Sequence, residues 1–341
     1  MVDVKQKLIV GVIAAMAFIA SMVNAQEVIV HDPVMVKEGN QYYLFSTGPG
    51  IVFYQSDDLV NWKPQGSVFD PVPKWTKETV PEFDGHMWAP DIYFHQGRYY
   101  LYYSISAFGK NTSAIGVAST PTLDKNNANY AWQDHGMIVQ SVPNRDLWNA
   151  IDPAIIQDEN GDTWMSFGSF WSGIKMARLA DNLVELSQPQ QWAATAKRER
   201  SIFTPSTDAY PGAIEAPFIY KKGEYFYQFV SWDFCCRGAE STYKVVVGRS
   251  KSAIGPYLDQ AGVDMAKGGG TIVIQGDKNW YGLGHNSAYT FDGKDYIVFH
   301  AYDANDNGAP KLKIIEMQWD ANGWPVVPAH EIVEFKSKIV E

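Results

Sequence analysis

Four carboxylates and one histidine recur along this chain at similar intervals. Asp32, Asp91, Asp152, Glu215 and His285 follow one another about 60 to 70 residues apart, each near the start of an apolar run. Carboxylates gathered in a cleft repel one another and burial raises their pKa, so one can keep its proton while another is charged. An acid and a base of this kind are what hydrolysis of a glycosidic bond requires. The alternative is that each acid caps a strand end by accepting backbone N–H bonds, but their shared place in a repeat favours the catalytic interpretation.

The surrounding segments follow one scheme of polar anchor, apolar run, glycine turn, aromatic run and small polar residue. They read HDPVMVKEGNQYYLFSTG, APDIYFHQGRYYLYYSIS, IDPAIIQDENGDTWMSFGSF, EAPFIYKKGEYFYQFVSW and HNSAYTFDGKDYIVFHAYD. Each apolar and aromatic pair around a glycine predicts a β-hairpin, because glycine supplies the positive φ of a tight turn. Third strands are predicted at 51–54, 115–118, 174–177, 243–247 and 312–316, and shorter fourth strands at positions such as 62–66 and 132–136.

Five such units predict an all-β fold, a five-bladed β-propeller with four-stranded antiparallel blades, because one small sheet must stack on its neighbours to bury both faces. The first strand of each blade lines the central channel. We therefore expect Asp32, Asp152 and Glu215 to converge at equivalent positions, in a cleft without nearby Lys or Arg. A β-sandwich is the alternative, and the lack of a sustained helical period disfavours an α/β fold.

Residues 1–25 have the pattern of a signal peptide. Lys5 and Lys7 precede an apolar run over 8–20, and Val23-Asn24-Ala25 suits a signal peptidase. An uncleaved membrane anchor is the alternative, which the short apolar run disfavours. We expect one catalytic domain over 26–341 in a secreted or periplasmic protein, monomeric and free of the membrane after cleavage.

The net charge of −10 argues against two classes of polyanionic partner. No basic stripe is present to neutralise the phosphates of nucleic acid or the uronates of pectin. The 12 Trp, 19 Tyr and 17 Phe fit a neutral polysaccharide better, since sugars stack on aromatic faces, although most of these rings belong to the core. The only cysteines, Cys235 and Cys236, are adjacent, so they are free thiols or a vicinal disulfide that rigidifies one turn, close to the site.

The segments HDPVMV, MWAPDIYF, WNAIDPAI, AIEAPFIY and GLGHNS resemble glycoside hydrolase family 43, and its arabinanases in particular, across residues 26–341. The resemblance implies a five-bladed propeller that hydrolyses with inversion. It makes Asp32 the general base, Glu215 the general acid, and Asp152 a third carboxylate whose charge raises the pKa of the acid and orients it. Asp91 binds sugar or has a structural role.

The same resemblance implies a set of sugar-contacting residues in loops that follow channel-lining strands, with Trp88 as a stacking wall; ordinary blade packing is the alternative for Trp88 and Phe170. The set is Trp88, Asp91, Phe108, Gly109, Asn149, Ala150, Ile151, Ser169, Phe170 and Trp171. His285 is placed by similarity on the propeller axis. There it either holds a calcium or other ion through water molecules or is a core histidine, and the chemistry requires no cofactor.

The substrate expected from this resemblance is plant cell-wall arabinan. The segments Asn149-Ala150-Ile151-Asp152 and 233–238 match the arabinanases and point to α-1,5-L-arabinofuranosidic linkages, cut either internally or from an end with release of short oligosaccharides. Other propeller glycosidases stay open as alternatives: a β-xylosidase or α-L-arabinofuranosidase, or a fructan hydrolase. A sugar-binding propeller without catalysis is a further alternative.

Overall fold

The computed structural model describes residues 26–210 and 212–341, and the predicted signal peptide at 1–25 lies outside them. Strands make up most of the regular structure. Within the described residues, we find no helix with the length and apolar character needed to cross a membrane.

The elements in chain order are β1 (Val34–Glu38), β2 (Gln41–Ser46), β3 (Gly48–Pro49), β4 (Val52–Ser56), β5 (Asn61–Ser67), α1 (Trp75–Thr79), β6 (His86–His95), β7 (Arg98–Ser106), β8 (Ser113–Thr120), β9 (Gln133–Ser141), β10 (Ala154–Gln157), β11 (Thr163–Phe167), β12 (Ile174–Arg178), β13 (Trp192–Ala196), β14 (Ile214–Lys222), β15 (Tyr225–Trp232), β16 (Lys244–Ser250), β17 (Thr271–Gln275), β18 (Trp280–Phe291), β19 (Lys294–Asp303), β20 (Ala309–Glu316), β21 (Gln318–Trp319), β22 (Pro325–Val326), α2 (Ala329–Glu334) and β23 (Lys338–Ile339). Short 3₁₀ turns occur at Gly238–Glu240 and Met265–Lys267.

Five sheets form the blades, which confirms the predicted five-bladed propeller. Blade 1 has the order β1-β2-β4-β5, blade 2 β6-β7-β8-β9, blade 3 β10-β11-β12-β13, blade 4 β14-β15-β16-β17 and blade 5 β18-β19-β20. Neighbouring strands within these blades are antiparallel. The short strand β3 pairs with β6 at the edge of blade 2, and β21 and β22 form a separate hairpin.

The ring closes where blade 5 meets blade 1, and here the expectation of four strands in every sheet needs correction. Blade 5 contains three strands, and residues 28–30 lie along its open edge through a bridge between Ile29 and Lys311. The Val30 N–H donates to the Pro310 carbonyl at 3.1 Å. At the other end of the chain, β23 pairs in parallel with β5 of blade 1. Both termini therefore fasten this seam.

The core is divided into five clusters, each of which lies between two adjacent blades. Successive strand residues point to opposite faces of a sheet. In β15, for example, Phe229 packs towards blade 5, whereas the next residue, Val230, packs towards blade 3. This alternation requires apolar residues at nearly every position of the second strands, which explains the aromatic runs in the sequence.

Candidate active site

Each blade has one residue with a left-handed backbone conformation, just before or within its first strand. These residues are Asp32, Ala89, Asp152, Ala216 and His285, with φ between 43° and 60°. Proline follows the first four. The strand register shifts around this position in blades 2, 4 and 5, and in blade 5 it does so at His285-Asn286, without a proline. The five anchors of the sequence repeat are thus not all equivalent: Asp91 lies two residues after this position, and Glu215 lies one residue before it.

The small polar residue that ends each aromatic run contacts the next blade. The backbone N–H of the left-handed residue donates to a side chain on the second strand of the preceding blade. The pairs are Ala89 to Thr47 Oγ1 at 2.8 Å, Asp152 to Ser104 Oγ at 3.0 Å, His285 to Ser231 Oγ at 2.8 Å and Asp32 to His300 Nδ1 at 3.2 Å. These bonds fix the blades relative to one another around the axis.

Blade 3 departs from this pattern because Gly168 occupies the position that Thr47 occupies in blade 1. Both residues donate a backbone N–H to the residue before the left-handed one, Thr47 to His31 and Gly168 to Ile151. Glycine offers no side-chain acceptor. The Ala216 N–H of blade 4 instead donates to Asp152 Oδ2 at 3.0 Å, so a carboxylate joins blades 3 and 4 next to Glu215.

A cavity of about 390 Å³ contains the three carboxylates that the sequence predicted to converge, Asp32, Asp152 and Glu215. They come from blades 1, 3 and 4. Of the predicted sugar-contacting residues, those that line the same cavity are Trp88, Phe108, Gly109, Asn149, Ile151, Ser169, Phe170 and Trp171; His285 also lines it.

Two predicted contact residues, Asp91 and Ala150, do not line this cavity. Asp91 Oδ2 accepts from the Ile155 N–H of blade 3 at 2.7 Å, and burial raises its pKa to about 7. This contact joins blades 2 and 3, which favours a structural role for Asp91 over contact with sugar. Ala150 is fully buried, and its N–H donates to Ser141 Oγ at 2.9 Å.

Asp32 is held in its charged form. Burial on its own would raise the pKa, but the charge of His285 and its hydrogen bond outweigh burial, with help from His300 and His31, and the pKa lies well below its ordinary value. His285 Nδ1 lies 3.0 Å from Asp32 Oδ1, and the Thr47 hydroxyl donates to Oδ2. The same contact raises the pKa of His285 to about 9 against its burial, so this pair is ionic at neutral pH.

The pKa values of Asp152 and Glu215 are raised, in contrast to that of Asp32. Burial, then repulsion from Glu215 and Asp32, raises the pKa of Asp152 to about 8 although His285 opposes it. Burial also raises the pKa of Glu215, against hydrogen bonds from Tyr243 and Ser169. Burial is thus the largest cause of the raised pKa of Glu215, and mutual repulsion couples this group to Asp152.

Two cations line the cavity, contrary to the expected absence of Lys and Arg. Lys110 Nζ binds Glu82 at 2.6 Å, and the Arg237 guanidinium lies 4.3 Å from the centre of the Phe234 ring. Neither contributes to the pKa shifts of the three carboxylates, whose positive partner is His285.

The residues around His285 offer few protein ligands for a metal ion. Its Nδ1 is engaged with Asp32, so Nε2 is the ring nitrogen left to coordinate an ion. Across residues 26–210 and 212–341, no group of three or more His, Cys, Asp or Glu side chains is arranged to hold a metal. An ion held through water remains an expectation from the sequence, and no chemical step below depends on it.

The wall of the cavity includes residues that sequence reasoning missed. They are His31, Thr47, His86, Ser106, Ala107, Lys110, Ala209, Tyr210, Phe234 and Arg237. The available signal was the loop after each second strand: Phe234 follows β15 as Phe108 follows β7 and Phe170 follows β11. Tyr210 comes from a long loop before β14 and had no comparable signal.

Phe170, Tyr210 and Phe234 form an aromatic group on this wall, with ring centres 5.3 to 6.1 Å apart. Cys235 and Cys236 form a disulfide beside them, so the vicinal disulfide is the correct alternative and the turn does border the site. The Cys236 N–H donates to the Tyr302 hydroxyl at 2.7 Å, and that hydroxyl lies 3.0 Å from His31 Nε2.

Similar proteins place this arrangement in a known family. An extracellular exo-α-(1→5)-L-arabinofuranosidase of Cellvibrio japonicus is 56% identical over 92% of this chain and 91% of its own length. An extracellular endo-α-(1→5)-L-arabinanase of Bacillus subtilis is 41% identical over 90% of each chain. The structure of an α-L-arabinanase of Cellvibrio cellulosa complexed with arabinohexaose superposes with a TM-score of 0.91 at 56% identity, covering 92% of this chain and 100% of that one. The glycosyl hydrolases family 43 pattern matches residues 26–325, so the chain belongs to glycosyl hydrolase family 43.

Proposed function

We propose that this enzyme hydrolyses α-1,5-L-arabinofuranosidic linkages of arabinan with inversion at the anomeric carbon. One observation carries the proposal: a single cavity combines Asp32, whose pKa is lowered by His285, with Glu215, whose pKa is raised by burial. Two groups in opposite protonation states are what a glycosidase of this kind needs.

In this mechanism Glu215 donates its proton to the oxygen of the departing arabinosyl unit while Asp32 accepts a proton from the attacking water. Water attacks the anomeric carbon from the opposite face, and the C–O bond to the leaving group breaks. The products are two free sugar ends, with Glu215 ionised and Asp32 protonated. A proton then returns from solvent to Glu215 and leaves Asp32.

Asp152 acts as the positioning group for the acid. Its Oδ2 holds the N–H of Ala216, the residue directly after Glu215, so the orientation of the Glu215 backbone depends on this contact. Repulsion between the two buried carboxyl groups also disfavours a double negative charge, which supports retention of a proton at neutral pH.

Two relatives, an exo-α-(1→5)-L-arabinofuranosidase and an endo-α-(1→5)-L-arabinanase, support the choice of arabinan as substrate, as does a similar structure complexed with arabinohexaose. The aromatic side chains of Trp88, Phe108 and Phe170 offer faces on which a neutral furanose chain can stack. The extracellular location of two relatives is consistent with export of this chain and action on cell-wall polysaccharide outside the cell.

The test is digestion of linear α-1,5-arabinan with product sizing over time, with the anomer first released recorded by NMR. Arabino-oligosaccharides released as the β-anomer support both the substrate and inversion. Release of the α-anomer would contradict inversion, and fructose release from levan without cleavage of arabinan would replace the proposal with a fructan hydrolase. Early mixed lengths identify internal cleavage, whereas one dominant short product identifies attack from an end.

The role of Glu215 is tested with Glu215→Ala on two substrates. Arabinan needs proton donation to a poor leaving group, so its hydrolysis falls by about 10²- to 10⁴-fold. A 2,4-dinitrophenyl arabinobioside has an acidic leaving group and retains most of its rate. An equal loss on both substrates would remove Glu215 from the role of acid, and full hydrolytic activity of Asp32→Ala would remove Asp32 from the role of base. Binding of arabino-oligosaccharides by the unmodified protein without any hydrolysis would show that the cavity only binds sugar.

A further inference from the structure

The two carboxylate oxygens of Glu215 have different surroundings. The Tyr243 hydroxyl donates to Oε1, while Ser169 Oγ lies 2.7 Å from Oε2. Tyr243 is 1% exposed and does not line the cavity, whereas Ser169 does. Oε1 therefore faces the protein and Oε2 lies on the side of the cavity.

The Tyr243 hydroxyl keeps its proton and has one place to donate it. Burial and the nearby charges of Glu215 and Asp152 raise the pKa of Tyr243 well above its ordinary value, so it stays protonated. In the described part of the chain, Oε1 is the one acceptor within hydrogen-bonding distance of its hydroxyl. A proton on Oε1 directed at the tyrosine oxygen would leave the tyrosine hydrogen buried without an acceptor, which is unfavourable.

The Ser169 hydroxyl has both a hydrogen and lone pairs, so it fits either state of Oε2. It accepts a hydrogen bond from a protonated Oε2 and donates to an ionised one after rotation about its Cβ–Oγ bond. The environment of Oε2 thus tolerates gain and loss of a proton, and the environment of Oε1 does not.

Resting on the proposed function, we propose that Tyr243 is a positioning residue that confines the acidic proton of Glu215 to Oε2, the oxygen on the cavity side. The bond between the Tyr243 hydroxyl and Oε1 also stabilises the carboxylate left after proton donation. Tyr243 does not itself touch the reacting atoms.

The fold makes room for this tyrosine at Gly284. In blades 1 to 4 the residue before the left-handed position carries a side chain that lines the cavity, namely His31, Trp88, Ile151 and Glu215. In blade 5 this residue is Gly284, where an added Cβ would lie 2.2 Å from Tyr243 Cδ1. The ring of Tyr243 lies close to parallel with His300 on blade 5, at 6.0 Å between centres.

The pH dependence of Glu215 reflects groups from every blade around it. Asp152 on blade 3, Asp32 on blade 1 and His285 on blade 5 act through charge, while Ser169 and Tyr243 act through hydrogen bonds. Both hydrogen bonds lower the pKa of Glu215 against burial. Removal of the tyrosine hydroxyl should therefore raise the pKa of the acid and weaken proton donation.

The experiment is Tyr243→Phe, which keeps the ring between Gly284 and His300. On arabinotriose we expect kcat to fall by about 10- to 100-fold, with a smaller effect on the 2,4-dinitrophenyl arabinobioside, and the alkaline limb of kcat/KM to move to higher pH. The matched control is Tyr257→Phe, because Tyr257 is also fully buried but donates to the Ala253 carbonyl and does not line the cavity. Tyr257→Phe should change neither the ratio of kcat on the two substrates nor the position of the alkaline limb of kcat/KM.

An equal loss on both substrates with an unmoved alkaline limb would overturn the positioning role. A titration of ¹³C-labelled glutamate followed by NMR gives a second readout that does not depend on turnover: the Glu215 resonance, assigned with Glu215→Gln, should titrate at higher pH in Tyr243→Phe, and an unchanged midpoint overturns the inference. If Glu215→Ala loses both substrates equally, the proposed function fails instead, so the two failures are distinct.

Discussion

Asp152 Oδ2 accepts the backbone N–H of Ala216 at 3.0 Å, across the interface between blades 3 and 4. Elsewhere in the ring this type of bond uses a hydroxyl or imidazole on a second strand, but Gly168 removes that option in blade 3. A carboxyl group therefore has a mechanical role beside the acid as well as an electrostatic one. The two roles make different predictions.

Replacement of Asp152 separates orientation from charge. Asp152→Asn keeps an oxygen that can accept from Ala216, whereas Asp152→Ala leaves a buried N–H without a partner at a cost of about 1 to 3 kcal/mol. We expect kcat on arabinan to fall about tenfold further in Asp152→Ala than in Asp152→Asn. Equal kcat values for the two variants would show that the charge, and not the contact with Ala216, is what matters.

Stability should decrease from neutral to alkaline pH. His285 has a pKa of about 9 in the folded protein against an ordinary 6.5, so its contribution is complete below pH 6.5 and is lost as the pH rises through 9. Asp152, raised from 3.8 to about 8, likewise favours folding less as the pH rises. Urea unfolding at pH 6.5 and pH 9.5 measures the difference, on the order of 3 kcal/mol for His285 alone. His285→Gln should flatten the profile, and an unchanged slope in this variant would assign it to other groups.

The acid limb of activity depends on the same pair. His285 lowers the pKa of Asp32 through charge and a hydrogen bond. Its replacement by the neutral Gln should raise that pKa, so Asp32 becomes protonated at a higher pH and the acid limb of kcat/KM moves upward. Measurement of kcat/KM from pH 3 to 7 tests this, and the surface variant Lys251→Gln, which breaks contacts with Glu224 and Tyr225, serves as the control.

The last residues of the chain should contribute to stability. Removal of 336–341 deletes the parallel pairing with β5, including backbone bonds from Lys338 to Val60 and from Val340 to Trp62, at 2.8 and 2.9 Å. Each hydrogen bond contributes about 1 kcal/mol net, so we expect denaturant unfolding to show a free energy of unfolding lower by about 2 to 3 kcal/mol. An unchanged midpoint would show that residues 28–30 close the ring without help.

The vicinal disulfide should influence binding more than stability. A bond between adjacent residues closes almost no loop, so its entropic effect on the unfolded chain is small. Cys235→Ser with Cys236→Ser should change the unfolding free energy by less than about 1 kcal/mol, yet raise KM for arabinohexaose because this turn is part of the cavity wall. An unaltered KM would assign the turn to packing alone.

The repeat was sufficient to predict the propeller and the convergence of three carboxylates, because hydrophobic alternation and glycine turns are local signals. Its alignment of Glu215 and Asp91 was wrong by one and two residues, since the repeat does not reveal how the strand register shifts around the left-handed residue. Tyr243 was not predicted either. Its function depends on the distance between two blades and on the space left by Gly284, neither of which a pattern within one repeat contains.

The seam between blades 5 and 1 also runs through the ion pair that holds Asp32 charged. Asp32 and its partner His285 lie on opposite sides of it, whereas Glu215 and Asp152 lie on blades 4 and 3, away from it. An opening of the ring at this point would deprive the base of its counterion before the acid loses its support. Heating should therefore abolish turnover at a lower temperature than the one at which the sheets unfold. Loosening of a terminal segment would first disturb the side of the cavity where Asp32 accepts a proton from water.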